Sequence, residues 1–352
     1  MSTDFKLRYF KIEKCGYFNG SHKNPQGHDC ILQTLHDLKE YVADKSIQET
    51  GISNKDQEEP TTFILDIEHN DGFWIISLWN KTDKASSDEV VSLDLSSRIG
   101  DLKSEEVKAS KGKTFGFVSY ILICPEKRFY ATLMPTGASF AGRESFELYI
   151  KNFLWINPKI IEKTTIKEPS KEGEDGIIEK TNFKLPNKIS GTITPHFVCK
   201  LLKSQSEIDY VIKNYNKITR IKNNCTVKVT KGESDGVLKK YLSKLFGNTS
   251  LFAPLETIRI KTETSAGFQT QKDLIEWIAG WQNAAIDPEQ DNCGFTLRGD
   301  SKTYWIHGNI ITKTITASGL HKVKGIYPAI GILSIMLKSK ELVISEYTTN
   351  VG

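Results

Sequence analysis

The chain has 352 residues and a mass of 39.7 kDa, long enough for two domains that each bury a core. Hydrophobic residues make up 38% of it and charged residues 26%, which is typical of a folded globular protein and excludes global disorder and a polytopic membrane protein. The small formal net charge of +4 conceals a basic block, because residues 184–261 hold 15 Lys/Arg against 5 Asp/Glu.

The first elements alternate between strand and helix patterns. Apolar and basic residues alternate from Phe5 to Ile12, which predicts a half-buried strand. Apolar residues at three- and four-residue steps predict an amphipathic helix from Ile31 to Val42. Two runs rich in β-branched and aromatic residues, Thr62 to Ile67 and Phe73 to Trp79, flank Asn70-Asp71-Gly72, and this arrangement predicts a β-hairpin.

A second pair of strand-like runs covers Phe115 to Cys124 and Arg128 to Met134. The first of them is apolar at nearly every position, which predicts a central position in its sheet. A helix is predicted from about Glu144 to Trp155. These elements predict an antiparallel α+β domain over residues 1–167. The charged, Gly- and Pro-containing segment 168–183 is typical of a linker.

Residues 184–352 are expected to form a basic second domain that ends in a helix. The fold class predicted for the whole chain is therefore α+β, with two domains of mainly antiparallel sheets and packed helices. Within the second domain the same periodicities predict strands near residues 189–202, 218–229, 257–262 and 294–316, and helices near 207–215, 237–246, 272–285 and after Pro328.

The cations between residues 200 and 244 fall into two groups. One runs from the end of a helix into a strand, and the other lies on the helix 237–246, where Lys240 and Lys244 repel each other as i, i+4 neighbours. A polyanion such as DNA would relieve this repulsion through phosphate contacts rather than base contacts. The alternative is a lysine-rich surface that only keeps the protein soluble. The predicted nucleic-acid-binding residues are Lys213, Lys217, Arg220, Lys222, Lys228, Lys231, Lys239, Lys240 and Lys244.

Catalytic signatures are missing from the sequence. No Gly-x-Ser-x-Gly, His-Glu-x-x-His or Gly-x-Gly-x-x-Gly occurs, so a non-catalytic protein without catalytic or metal-binding residues is favoured over an enzyme. Asp66 and Glu68 alternate on a strand but have no lysine beside them. The alternative activity is a metal-dependent nuclease, which needs converging carboxylates and a nearby lysine. Its candidate residues are Asp287, Asp291, Asp300 and Lys302.

A third hypothesis is a protein-interaction subunit of a larger complex. Trp277 and Trp281 lie one helical turn apart and would present an aromatic anchor to a partner. The competing interpretation is that both rings fill the core beside an amphipathic helix, which is the usual place of large aromatic side chains.

The N-terminal residues carry scattered charges and lack the apolar run of a secretory signal, which predicts a cytoplasmic protein. The longest apolar stretch, Ile326 to Leu337, contains Pro328 and is shorter than the roughly 20 residues of a spanning helix. It predicts a buried C-terminal helix without direct membrane insertion. The six cysteines include no Cys-x-x-Cys pair, so we expect neither a zinc ribbon nor a dithiol redox site. No cofactor is predicted.

Two stretches resemble the RexA-like phage-exclusion family of lambdoid prophages. One spans Phe73 to Phe153 and includes Phe115 to Leu122 and Pro135-Thr136; the other includes His196-Phe197 and Thr257 to Phe268. The resemblance implies a dimeric, non-catalytic protein that binds DNA without strong sequence preference. It also implies a sensor or regulator of antiphage defence that acts by abortive infection, often with a membrane-protein partner. The chain departs from the family in being longer at both ends.

Overall fold

A computed structural model gives the architecture of the chain. It describes residues 2–19, 27–53, 59–82, 91–94, 97–99, 104–105, 113–138, 141–169, 175–185, 192–204, 207–228, 257–284 and 291–351. The chain divides into two compact units, a first unit of Met1–Leu202 with Thr312–Gly352 and a second unit of Lys203–Ile311. The α+β class is confirmed, because helices pack on sheets whose described strand pairs are antiparallel.

The described parts of the chain contain sixteen strands and six α-helices. The strands are β1 (Ser2–Asn19), β2 (Gly27–Asp29), β3 (Thr62–Asn70), β4 (Phe73–Lys81), β5 (Val91–Asp94), β6 (Ser104–Glu105), β7 (Lys113–Cys124), β8 (Phe129–Pro135), β9 (Ile161–Pro169), β10 (Asp175–Phe183), β11 (Ile193–Leu201), β12 (Ile218–Lys228), β13 (Thr257–Thr264), β14 (Asn292–Leu297), β15 (Thr303–Trp305) and β16 (Thr312–Ser318). The helices are α1 (Ile31–Val42), α2 (Arg143–Leu154), α3 (Ile208–Lys213), α4 (Gln271–Ala284), α5 (Ala329–Lys338) and α6 (Lys340–Val351).

The first unit is built on a ten-stranded sheet in the order β11-β1-β8-β7-β4-β3. In addition, β16 and β2 pair with β1, β5 pairs with β7, and β6 pairs with β5. The apolar strand β7 lies between β8 and β4, which confirms its predicted central position. The predicted hairpin between β3 and β4 is also present, and Asp71 and Gly72 have φ values of 45° and 79°. Positive φ at both central residues is the geometry that Asp-Gly favours.

Helices cover both faces of this sheet. The Tyr130 ring lies 4.9 Å from Phe146 of α2, whereas the adjacent Phe129 ring stacks at 4.5 Å on Tyr347 of α6. Because successive strand residues point to opposite faces, α2 and α6 lie on opposite sides of the sheet. Accordingly, every residue of β4 from Phe73 to Asn80 is buried.

The two units do not follow the division predicted from the sequence, with domains 1–167 and 184–352. β11 and β16 both pair with β1, so residues 193–201 and 312–318 belong to the first unit. The predicted linker 168–183 contributes to a hairpin instead, in which Phe183 lies opposite Ile161 and Asp175 opposite Pro169. The sequence did not indicate the observed division into units, because β11 and β16, the partners of β1, lie far from it along the chain.

The predicted C-terminal helix is present in the first unit as α5. Its residues Ile332, Leu333 and Met336 are buried. None of the helices in the described parts of the chain is long and apolar enough to cross a bilayer.

The second unit contains a four-stranded antiparallel sheet in the order β13-β12-β14-β15. The helices α3 and α4 pack on it through one hydrophobic cluster, in which Val211 and Leu274 meet Phe295 and Ile306. The fold of this unit thus buries one face of the sheet.

Candidate nucleic-acid interface

The other face of the second unit's sheet carries mainly polar residues. On β12 the buried Ile221 belongs to the hydrophobic cluster, so its neighbours Arg220 and Lys222 point away from it. Directly opposed residues of paired strands share a face, and the strand registers therefore define the rest of this surface. We call it the open face; its residues with described side chains are Arg220, Lys222, Asn224, Lys261, Glu263, Asn292, Gly294, Thr296, Thr303 and Trp305.

A β-bulge sets the alternation at the start of β12. The register with β14 shifts between Ile218 and Arg220, so Thr219 is an extra residue without an opposed partner. Without the bulge, Ile218 and Ile221 would face opposite sides of the sheet. With it, both are buried, while Arg220 and Lys222 lie on the open face.

The open face has a surplus of positive charge. The Arg220 guanidinium lies 2.7 Å from the Glu263 carboxylate, and the Lys222 ammonium lies 3.8 Å from it. The hydrogen bond from Arg220 lowers the pKa of Glu263, so this carboxylate is ionised at neutral pH. Lys261 is exposed and makes no ion pair with the described residues. Among its described side chains, the open face therefore has three cations and one carboxylate, which pairs with Arg220 and Lys222 only.

A small cavity lies at the Trp305 side of the open face. Its volume is about 220 Å³. Its lining combines an indole, two side-chain amides, a lysine and backbone: Lys203, Asn224, Asn292, Trp305, Gly308, Asn309 and Ile310. A Cβ at Gly294 would come within 2.8 Å of the Trp305 ring, so the half-buried indole lies against the β14 backbone in space that only glycine leaves open.

The structure brings together only part of the predicted binding set. Arg220 and Lys222 lie on the open face, and Lys228 is the last residue of β12. Lys213 and Lys217 are exposed but lie before this strand, at the end of α3 and in the 3₁₀ turn Tyr215–Lys217. Four predicted residues lie outside the described residues: Lys231, Lys239, Lys240 and Lys244.

The nuclease candidates that the structure describes are engaged in contacts. Asp300 accepts a 2.5 Å hydrogen bond from the Tyr304 hydroxyl, and the Lys302 ammonium lies 2.5 Å from Glu207. Asp291 is 2% exposed, and Asp287 lies outside the described residues. Within the residues that the structure describes, no three His, Cys, Asp or Glu side chains are grouped to hold a metal ion.

The two tryptophans of α4 pack against the core of the second unit. The Trp277 ring lies 5.8 Å from both Phe268 and Phe295, and Trp281 lies 5.4 Å from His307. Both tryptophans are only partly exposed. This placement agrees with the core interpretation, although their outer edges remain accessible.

The Asp66 and Glu68 pair of the first unit has a lysine partner that sequence proximity did not indicate. Lys39 of α1 places its ammonium 3.7 Å from the Glu68 carboxylate and 3.3 Å from Nδ1 of His69. Burial, together with the charge of Glu68, raises the pKa of Asp66 to about 6. Its raised pKa makes Asp66 a destabilising carboxylate at neutral pH.

Lys261 and Trp305 are two of the open-face residues that were not predicted from the sequence. Lys261 alternates with Ile260 on β13, a signal that was present in the sequence. Trp305 lies on a strand of only three residues, and the pairing of β14 with both β12 and β15 cannot be read from periodicity.

No family model matches the chain, and neither the curated proteins nor the solved structures contain a match.

Proposed function

We propose that the protein binds DNA non-catalytically through its phosphate backbone, with the open face as the contact surface. The observation that carries the proposal is the convergence of Arg220, Lys222 and Lys261 on one sheet face that no described helix covers. Antiparallel strands lie about 4.8 Å apart, so these cations are close enough together to neutralise neighbouring phosphates of one backbone. Contacts of this kind provide affinity with little sequence preference.

The single carboxylate limits the affinity of this surface without cancelling it. Glu263 holds Arg220 in place, yet its negative charge opposes an incoming phosphate. The guanidinium keeps donors for a second acceptor, because it carries five N–H groups in a planar fork. Arg220 can therefore bind Glu263 and a phosphate at the same time.

Salt dependence tests the proposal. Fluorescence anisotropy with a labelled duplex should give an affinity that falls linearly on a log–log plot against salt concentration. Three phosphate contacts correspond to a slope of about −3. The absence of binding at 50 mM salt would refute the proposal, and Mg²⁺-dependent cutting of a plasmid in the same samples would favour the nuclease alternative.

A charge-reversal variant locates the contact surface. Arg220→Glu/Lys222→Glu/Lys261→Glu should weaken duplex binding by about 100-fold or more, because each contact is replaced by repulsion. The melting temperature should change little, since these side chains lie at the surface. The matched control is Lys151→Glu/Lys272→Glu/Lys338→Glu, which changes the net charge equally at exposed helical positions outside the open face. Equal losses in both variants would contradict the assignment.

The role in antiphage defence rests on the resemblance to the RexA-like family. We propose that DNA binding serves a sensor or regulator there, in abortive infection. The homodimer, the membrane-protein partner and the cytoplasmic location stay predictions. The same charge-reversal variant provides the test: phage plating efficiency should be reduced by the unmodified protein and restored by the variant, whereas the control variant should still protect.

A further inference from the structure

We infer that the cavity beside Trp305 binds one unpaired base, so that the open face prefers a single strand to a duplex. This inference rests on the proposed function, because it requires that the open face binds nucleic acid. It adds a strand preference that phosphate contacts alone do not provide. The cavity has an aromatic platform and side-chain amides in its lining, and cations lie at neighbouring register positions.

Trp305 provides the platform. Its ring lies against the backbone at Gly294, where a Cβ would approach it to 2.8 Å, and the side chain is half-buried. The contact with β14 fixes the indole while part of it stays accessible from the cavity. An aromatic ring on a sheet surface stacks on any base, since every base has a π face. In a duplex these faces are occupied by neighbouring base pairs.

The amides of the cavity differ in their freedom to bind a ligand. Asn292 is committed, because its Nδ2 donates to the Gly308 carbonyl at 3.0 Å and its Oδ1 accepts from the His307 amide at 3.1 Å. Asn224 makes no side-chain hydrogen bond with the described residues and lines the same cavity. A side-chain amide can both donate to and accept from a base edge. Asn292 is thus a rigid wall and Asn224 a contact.

The cations lie at register positions next to the cavity. Lys222 is opposite Gly294, which in turn is opposite Trp305. On the other side of β12, Lys261 is opposite Asn224. A base stacked on Trp305 would therefore have its flanking phosphates near Lys222 and Lys261. The cations and the indole would then contact the same nucleic-acid strand. Surfaces that bind single-stranded nucleic acid combine charge and stacking in this way.

Three labelled probes of equal length separate stacking from charge: a thymidine single strand, a duplex, and an abasic single strand that has phosphates without bases. The unmodified protein should bind the thymidine strand most tightly. Trp305→Ala should weaken this binding by about tenfold, as expected for the loss of one stacked base. Its affinity for the duplex and the abasic strand should stay within about twofold. Trp305→Phe should retain most of the single-strand affinity, because a smaller ring can still stack.

Control variants and thermal melting distinguish the loss of stacking at Trp305 from unfolding and from the loss of an indole elsewhere in the chain. Trp155→Ala removes an indole that is 40% exposed in the first unit and should leave all three affinities unchanged. Asn224→Ala should weaken thymidine-strand binding a few-fold without affecting the abasic strand. Thermal melting of each variant verifies that the second unit is folded.

The outcomes distinguish this inference from the proposed function. If Trp305→Ala leaves the single-strand affinity unchanged while charge reversal still abolishes binding, the base site is overturned and phosphate binding stands. An equal loss for all three probes also overturns it, since the indole would then act only on the fold. If the unmodified protein binds no probe at low salt, both the base site and the proposed function fall.

Discussion

The ten-stranded sheet of the first unit and the four-stranded sheet of the second unit differ in how many faces they bury. In the first unit, β4 is buried from Phe73 to Asn80 because helices cover both sides. In the second unit, β12 alternates between the buried Ile221 and the accessible Arg220 and Lys222. A strand covered on both faces, such as β4, uses nearly all its side chains for packing. A sheet covered on one face has a second set of positions that folding leaves free to carry charge.

The largest expected loss of stability follows from removing a large side chain that is buried in the sheet of the first unit. Trp79→Ala should lower the free energy of unfolding by about 3–5 kcal/mol, because the fully buried indole leaves a cavity. Trp155→Ala, which removes an exposed indole from the same unit, should cost less than about 1 kcal/mol. Urea unfolding measures both. Equal costs would show that the second face of the large sheet is not covered as described.

The half-buried carboxylate of Asp66 provides an intermediate effect. Asp66 has a pKa of about 6 in the folded protein and about 3.9 in an unfolded chain, so the folded state binds the proton more tightly. The stabilising contribution of protonated Asp66 to the free energy of unfolding is therefore fully present below pH 4 and is lost as the pH rises through 6. Asp66→Asn removes this loss and should stabilise the protein by about 1–2 kcal/mol at pH 7, with little gain at pH 4.

The matched control for Asp66→Asn is Asp71→Asn, at a carboxylate that is 67% exposed. Urea unfolding at several pH values should show no comparable pH-dependent gain there. A stabilisation by Asp66→Asn that is the same at pH 4 and pH 7 would mean that burial does not hold the proton on this side chain.

The smallest predicted effect concerns the carboxylate of the open face. Glu263→Gln removes its charge and keeps an acceptor for Arg220, so DNA affinity should rise about two- to threefold at low salt and less at high salt. Glu276→Gln changes the net charge equally on α4, whose buried side packs on the opposite face of that sheet. Anisotropy titrations compare the two. The same gain from both variants would show that overall charge, rather than the open face, governs binding.

Local patterns were sufficient for most single elements and insufficient for their assembly. The apolar run of β7 predicted a central strand, and Asp71-Gly72 predicted the hairpin, because both depend on neighbouring residues only. The division into units depends on which strands pair with β1, and those partners are distant in sequence. For the same reason the basic block included Arg220 and Lys222, which share the open face, but it gave no sign of Glu263 opposite Lys222 or of Trp305 on the same face.

The pairing of β1 with β16 constrains the order of events during translation. Thr316 donates a hydrogen bond to Asp4 across 312 sequence positions, and β16 lines the edge of β1 from Ser2 to Arg8. During synthesis, this edge of β1 therefore stays unpaired until β16 has been made. Unpaired strand edges promote aggregation, so a nascent chain that stalls before Thr312 exposes such an edge however well its remaining segments have folded.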